Sequence, residues 1–488
     1  MRVRAVLPAA LLLAAHAAAQ DPGPAVRSVQ TADGSRFVLV PTSGPPVVHW
    51  VVASRSGPLA DPPGLEGLAH AVTAASLSGT GSLGSLDPER ERAALAEEET
   101  LEARLAAARG QAGTQAEAAA AQLARARAEA EALGDPLAFE RALRAAPASG
   151  ATVSRLPQAT LVEVVATLDG LPRVAELLLA RREDAVLRGW RERLAATRRE
   201  LGAARAVSPL GAAHEELLRL AFQEHPYRRF LPAAESLREP TRAEAVALYR
   251  RVQAPPRTLH VLVGGFDVPA VEAMLQRVFD RTGLWKDEAE TAPRAHPGAR
   301  EGLIRTGNGG GVLVAHFLPA PPAPASLLPL ATWLGDPDEG HVVSALRAQG
   351  HPQARVQAWL PYPDWDGGTL LLEVFDPRVR SDQDTRVLAA KIAQLLDEAG
   401  TQPPDAAALE RTHSALRAAR TRAFAANGPL AVHLATALFV EGRAAEDVLR
   451  GDPRLDAAGL QRTAAGLFDR ERRIVLRVLA ARPTERGR

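Results

Sequence analysis

Gly64-Leu65-Glu66-Gly67-Leu68-Ala69-His70-Ala71-Val72-Thr73-Ala74 is the stretch that decides how this chain is read. Two glycines precede an apolar, proline-free run, so Leu68 onward reads as the start of a buried helix. On a helix, residues 70, 73 and 74 share one face. Two histidines at that i, i+4 spacing, with a carboxylate beside the second, make a metal site with its own general base. Here only His70 has the chemistry. Thr73 carries a hydroxyl of normal acidity, which cannot act as a general base near neutral pH, and the Ala74 methyl cannot bind a metal. The stretch reads as a metal site with its chemistry removed.

The surroundings of this helix point to a sheet. Residues 36–40 and 47–54 alternate or run apolar and read as strands, and a Pro/Gly-rich connection, 57–67, leads into the helix. After Gly79-Thr80-Gly81 comes a block built almost entirely of Ala, Glu, Arg, Gln and Leu, the strongest helix formers. Gly110-Gln111-Ala112-Gly113 interrupts it, which predicts two antiparallel helices, 89–109 and 114–133, with Leu95, Leu101, Leu105 and Leu123 in a narrow seam. Such a hairpin serves either as a docking arm for a partner or as a spur packed on its own domain. Residues 151–155 and 161–168 return to strand patterning, and Pro172 opens a long helix expected to run to about Ala204. Helix 210–222 ends at His225-Pro226-Tyr227; Thr241 and Glu244 form a capping box; strand 258–263 turns through Gly264-Gly265-Phe266-Asp267 into helix 268–279.

The polar, proline-containing stretch 285–302 reads as a linker, and the second half repeats the plan. Strand 312–318, helices 326–334 and 341–347, strands 354–360 and 369–375, helices 384–399, 406–424 and 429–441, and strand 474–480 follow in order. Strands, helix, strands, long helices and a closing strand, twice over, predict an α+β protein of two similar domains rather than alternating βαβ units. The expected domains are 25–284, carrying the hairpin insertion 89–133, and 303–482.

Composition narrows the function. Hydrophobic residues make up 46% of 488, enough for sizeable cores. Lys+Arg 58 against Asp+Glu 57 supplies no basic stripe for nucleic acid. Met1-Arg2-Val3-Arg4, an apolar run and Ala17-Ala18-Ala19 read as a signal peptide, 1–19, with cleavage after Ala19. No apolar run reaches the ~20 residues a membrane span needs, so no membrane insertion is expected after cleavage. Ala- and Arg-rich composition points to a high-GC bacterium and so to the periplasm. The chain has no cysteine, which removes disulfides, thiol nucleophiles and Cys-ligated metals.

Taken together, the layout and several local strings resemble the insulinase/pitrilysin family of inverzincin metallopeptidases, which includes the mitochondrial processing peptidases. The carrying residues are Gly64 to His70, followed by Ser78-Gly79-Thr80, similar to the family's "G-L-A-H … F-x-G-T". His225-Pro226-Tyr227 resembles its "H-P-Y", Leu262 to Asp267 its "V-G-D-F-D" turn, and Leu346-Arg347 its "L-R-x-x-x-G". The family tolerates a charged helical insertion just after the G-T element. The resemblance runs from about Arg36 to Ala480 and implies a LuxS/processing-peptidase metallohydrolase architecture. It also implies that His70 matches the first zinc histidine of H-x-x-E-H, that Thr73 replaces the glutamate base and Ala74 the second histidine. The third ligand is matched to Glu200, with Glu192 as fallback. Arg347 corresponds to an arginine that grips substrate, while Gln353 and Ala354 stand where a tyrosine is expected.

Other constellations are weaker. His214-Glu215 and Glu224-His225 match no known ligand spacing; His260 and His316 lie in apolar strands and read as core histidines. Gly307-Asn308-Gly309-Gly310-Gly311 precedes a strand, whereas an anion loop opens a helix. No G-x-S-x-G elbow is present. The expected function is therefore an exported, catalytically inactive homologue with no cofactor, zinc being the metal of active relatives. It would act as the non-catalytic, peptide-binding half of a clamshell, paired with an active subunit of the same family or with itself. The alternatives are a stand-alone periplasmic scaffold using its helical arm, and an active zinc metalloendopeptidase with non-standard ligands.

Overall fold

In a computed structural model the described residues are 26–57, 59–107, 114–204, 210–222, 225–231, 236–280, 300–305, 310–319, 324–362, 368–451 and 454–480. The expected signal peptide, the Gly110–Gly113 turn, Glu224, Gly307 to Gly309 and all of the linker up to residue 299 lie outside them.

The strands are β1 (Arg27–Gln30), β2 (Arg36–Pro41), β3 (Val47–Ser54), β4 (Thr152–Arg155), β5 (Thr160–Thr167), β6 (Thr258–Gly264), β7 (Arg300–Arg305), β8 (Gly311–Phe317), β9 (Arg355–Tyr362), β10 (Thr369–Phe375) and β11 (Arg473–Leu479). In the first half the helices are α1 (Leu68–Ala75), α2 (Pro88–Ala107), α3 (Thr114–Leu133), α4 (Ala138–Ala145), α5 (Leu171–Asp184), α6 (Trp190–Ala204), α7 (Gly211–Ala221), α8 (Arg242–Val252) and α9 (Val268–Phe279). The second half adds α10 (Pro324–Gly335), α11 (His341–Ala348), α12 (Asp382–Thr401), α13 (Ala406–Ala423), α14 (Asn427–Phe439), α15 (Ala445–Arg450) and α16 (Ala457–Leu467).

The strands form two sheets, ordered β1-β2-β6-β3-β5-β4 and β7-β11-β8-β10-β9. Leaving β1 aside, the two orders are the same path: the opening strand lies parallel to the closing strand, and every other pairing is antiparallel. The fold is thus α+β with two like-built, mainly antiparallel sheets. Arg300 to Gly302, read from sequence as linker, already belong to β7, paired in parallel with β11. An arginine, a glutamate and a glycine in a row, with no apolar residue among them, hid an edge strand.

Alternation along the strands sends successive residues to opposite faces, and both faces are covered. Phe37, Trp50, Val164 and Leu262 join Val174, Leu178 and Phe279 of α5 and α9 on one face of the first sheet. Val38, Val51, Leu161 and Val263 join Leu430, Ala431 and Leu434 on the other. The last three belong to α14, which comes from the second half. The exchange is reciprocal: Leu217, Leu218 and Ala221 of α7, from the first half, pack on Leu313, Ala315, Leu371 and Leu476 of the second sheet. His214 of α7 bonds Tyr362 at 2.8 Å and Glu373 at 2.9 Å inside that contact.

Expected helix 172–204 is two helices. The break is at Ala185 to Gly189, where Leu187 has φ 60 and Gly189 φ 66. Helix propensity yields there to tertiary contacts. Arg188 donates to the carbonyls of Ser78, Thr80 and Leu83 and clasps the Glu91 carboxylate at 2.6 and 2.7 Å. The same loop needs Gly79, at φ 129, where a Cβ would lie 2.4 Å from the Leu83 carbonyl oxygen.

The helical hairpin is tied down by buried ion pairs. Glu91 takes Arg188; Glu98 and Glu102 take both Arg127 and Arg191; Glu102 also accepts the backbone N–H of Arg242 at the start of α8. Its own apolar seam is small: Leu101, Leu123, Ala126 and the flanking Leu105.

Two expectations follow. Arg188→Met leaves Glu91 buried without its cation, and unfolding measured by denaturant titration is expected to lose about 3–5 kcal/mol. His260 and His316 are buried, and burial pulls both down to about 3. The unfolded chain therefore takes up protons below about pH 6.5 that the fold refuses, so stability falls as pH falls. His316→Leu removes one such group. Its stability relative to the unmodified protein is expected to rise by up to about 1.4 kcal/mol per unit as pH drops from about 6.5 to 4.5.

Candidate functional site

Helix α1 begins on a side chain rather than on a neighbouring cap. The Asp61 carboxylate accepts the backbone N–H groups of Gly67 at 2.8 Å and Ala69 at 2.7 Å, two donors that a helix start leaves unpaired. Asp61 is fully enclosed, and burial pushes it up to about 7 against those two bonds, with Glu66 adding to the rise. Apart from His70, every residue of α1 is buried, between α6 and α8. His70 alone faces a narrow cleft, together with Ser56, Gly57, Glu66, Arg155, Leu156, Thr197, Leu201 and Arg229.

His70 Nδ1 lies 2.8 Å from Thr160 Oγ1. Ser56 Oγ donates to the same Thr160 oxygen. The Ser54 carbonyl is a second acceptor for Ser56 Oγ, at 3.2 Å, so the hydroxyl pair can serve His70 Nδ1 as donor or as acceptor. Burial first, then the guanidiniums of Arg155 and Arg193, pull the imidazole down to about 4, so it is neutral at pH 7.

Thr73 points elsewhere. Fully buried, it donates to Ala69 O at 2.9 Å and accepts from Gln253 Nε2 at 3.3 Å. Gln253 in turn accepts from the buried Arg181 at 2.8 Å. Ala74 is buried as well. Glu200 is exposed, and the group it acts on is Arg155 rather than His70. Glu192 is exposed too and lines a separate cavity of about 390 Å³ between the hairpin and the 186–192 segment. The face that α6 turns to α1 is Leu194, Thr197 and Leu201, all buried. Their i, i+3, i+7 spacing was readable in the sequence, and Glu200 falls just off it. Arg347, the expected substrate contact, is exposed and donates to Asp338 O at 2.7 Å and Pro337 O at 3.3 Å, closing the loop ahead of α11.

These residues do not fit a zinc ion. Among the described residues no three His, Asp or Glu side chains gather to hold a metal. The charged neighbours that act most on His70 are cations.

No family model matches the chain, and no curated protein matches it by sequence. Solved structures do. A protease from Helicobacter pylori superposes with TM-score 0.68 at 15% identity, over 93% of this chain and 99% of its own. A peptidase M16 inactive domain from Pseudomonas fluorescens gives 0.64 at 12%, over 94% and 100%. The periplasmic protease PqqL from Escherichia coli gives 0.58 at 13%, over 93% of this chain and 47% of its own. The fold is that of the M16 peptidases, the insulinase/pitrilysin architecture.

Dialysis against excess zinc followed by mass spectrometry is expected to leave less than about a tenth of an equivalent of metal, since a catalytic zinc needs three protein ligands. Close to one equivalent, lost on His70→Ala, would overturn this description of the site.

Proposed function

We propose that this protein is a catalytically inactive, exported member of the insulinase/pitrilysin group. In this reading it acts as the peptide-binding, non-catalytic half of a two-part peptidase chamber. One observation carries the reading: on α1, whose first N–H groups Asp61 holds, His70 faces the cleft while Thr73 and Ala74, which the resemblance matches to the base and the second ligand, carry neither a carboxylate nor an imidazole. Support comes from the M16 inactive domain, which this chain matches end to end. It also comes from PqqL, which is about twice as long, so that this chain corresponds to one half of such a molecule. PqqL's periplasmic address agrees with a signal peptide at 1–19 and with the finding that no helix among the described residues is long and apolar enough to cross a membrane. The missing half would be an active chain with an intact H-x-x-E-H, or a second copy of this one.

Peptide capture has a structural basis beside His70. Among the described residues β4 pairs only with β5, so its outer edge suits the addition of an extended peptide as a further strand. The hairpin is anchored to its own domain by buried ion pairs, which favours a spur over a free docking arm and weakens the stand-alone scaffold alternative.

The test is purification of the mature chain with its co-expressed genomic neighbours, assayed alone and together on fluorogenic peptides with zinc present. The expected result is binding without turnover by the chain alone, and co-elution with a chain carrying an intact motif. Turnover by the isolated chain, abolished in His70→Ala, would sink the reading.

A further inference from the structure

We propose that Lys391 is a reactive amine that accepts an acyl group from an activated donor, an acyl phosphate or a thioester. His351 is its general base, and Asp376 is the positioning residue that orients His351.

The sequence sets Lys391 apart. Of the 58 Lys+Arg residues, only Lys286 and Lys391 are lysines. Arginine keeps its charge and has no lone pair to offer a carbonyl carbon, whereas a lysine ammonium can give up a proton and attack one. Lys391 sits midway along α12 and is half-buried.

The fold brings to it a pair of groups from two other segments. Lys391 Nζ lies 3.2 Å from His351 Nε2 and 3.4 Å from the carbonyl oxygen of Gln349, both in the turn that ends α11. The other ring nitrogen, Nδ1, lies 2.7 Å from Asp376 Oδ2, in the turn after β10. Asp376 is fully buried. Arg378 donates to it from its backbone N–H at 2.9 Å and from its guanidinium at 3.1 Å. Burial pushes the Asp376 carboxyl up, but the bonds from Arg378 and His351 outweigh it and hold the group below the usual carboxylate range. A carboxylate has no proton to give, so Nδ1 donates to it and Nε2 turns its lone pair toward Lys391. A nucleophile within hydrogen-bond reach of a base, with that base oriented by a third group, is the arrangement that activates weak nucleophiles. A lysine that served only to close off α11 would need the Gln349 carbonyl alone.

The approach is open. Gly350, between Gln349 and His351, has φ 89, and a Cβ built on it would meet no atom within 4 Å. A small acyl donor therefore has room beside the turn that holds the amine.

The step balances with the donor as its one co-reactant. The ammonium first passes one proton through His351 to water. The amine then attacks the acyl carbon, and a second proton goes to His351 Nε2 as the C–N bond forms. The C–O bond of the acyl phosphate, or the C–S bond of the thioester, breaks, and its electron pair leaves with the phosphate or thiolate. The products are an Nε-acyl-lysine and the released phosphate or thiol, and His351 returns its proton to water.

The test treats the full mature chain with acetyl phosphate and, separately, with acetyl coenzyme A. A short unstructured peptide with one lysine is present in the same solution, and Lys286 is the internal reference. Peptide-mapping mass spectrometry reads the acetylation rate at each amine. Lys391 is expected to react at least about tenfold faster than the peptide lysine with one of the donors, and the donor that reacts identifies the class. His351→Gln and Asp376→Asn are each expected to slow Lys391 by about tenfold or more and to leave Lys286 unchanged. The direction separates a base from a tether: if the pair only held the lysine in place, its removal would free the amine and raise the rate. Reaction of Lys391 no faster than the peptide lysine with either donor, or an undiminished rate in His351→Gln, overturns the proposal. Thermal unfolding checks that the variants fold, and if Asp376→Asn does not, His351→Gln decides alone.

Discussion

The constraint on which the rest of this structure depends is the double-sided burial of its two sheets. β6 and β8 have every residue buried, so each must be covered on both faces. Each half supplies helices for one face of its own sheet and borrows one for the other: α14 covers the first sheet and α7 the second. A chain cut at the linker would leave both sheets with an apolar face in water. At ~25 cal/mol per Å² of apolar surface, a face of that kind outweighs the few kcal/mol by which most proteins are stable. The halves are therefore a repeat in topology but one unit in energetics.

That exchange fixes the cleft. β3, β5 and β6 are held from behind by α14, and this sets the position of Ser56, Thr160 and the edge strand β4 relative to α1. α1 is held in turn by Asp61 at its head and by α6 and α8 along its sides. His70 thus sits between rigid elements rather than on a loop. The ion pairs of the hairpin and the Arg188 clasp immobilise the Gly79 to Leu83 turn that follows α1, so the whole region around α1 is over-determined.

Much of this was legible in the sequence, and the failures have common causes. Strands β2, β3, β6, β8 and β10 announced themselves because apolar runs of six to eight residues flanked by turns are hard to read otherwise. The Thr241–Glu244 capping box appears where its spacing placed it, and the Gly264 to Asp267 turn leads into α9 as read, with Asp267 capping that helix. β1 and β7 were missed because edge strands carry exposed, charged side chains. The break between α5 and α6 was missed because residues 185–189 lack proline, and their conformation is imposed by Arg188 bonding to a loop about a hundred positions away. In the site, the helix carrying residues 70, 73 and 74 could be read from the pattern, whereas the burial of Thr73 and Ala74 away from the cleft that His70 faces could not.

Building a metal site here by substitution would meet obstacles on both α1 and α6. Ala74 belongs to α1, but placing a histidine there gives two nitrogens and no third ligand. The third position belongs to α6, whose inward stripe is Leu194, Thr197 and Leu201, so a carboxylate would have to replace a buried residue on that stripe rather than use Glu200. The base position, Thr73, is bound into a buried network with Gln253 and Arg181, and a glutamate there would meet the core instead of the cleft. Burial first, and then Arg155 and Arg193, already disfavour positive charge at His70, and the same two cations would oppose a dication there. Changing any one element leaves the others opposed to the metal.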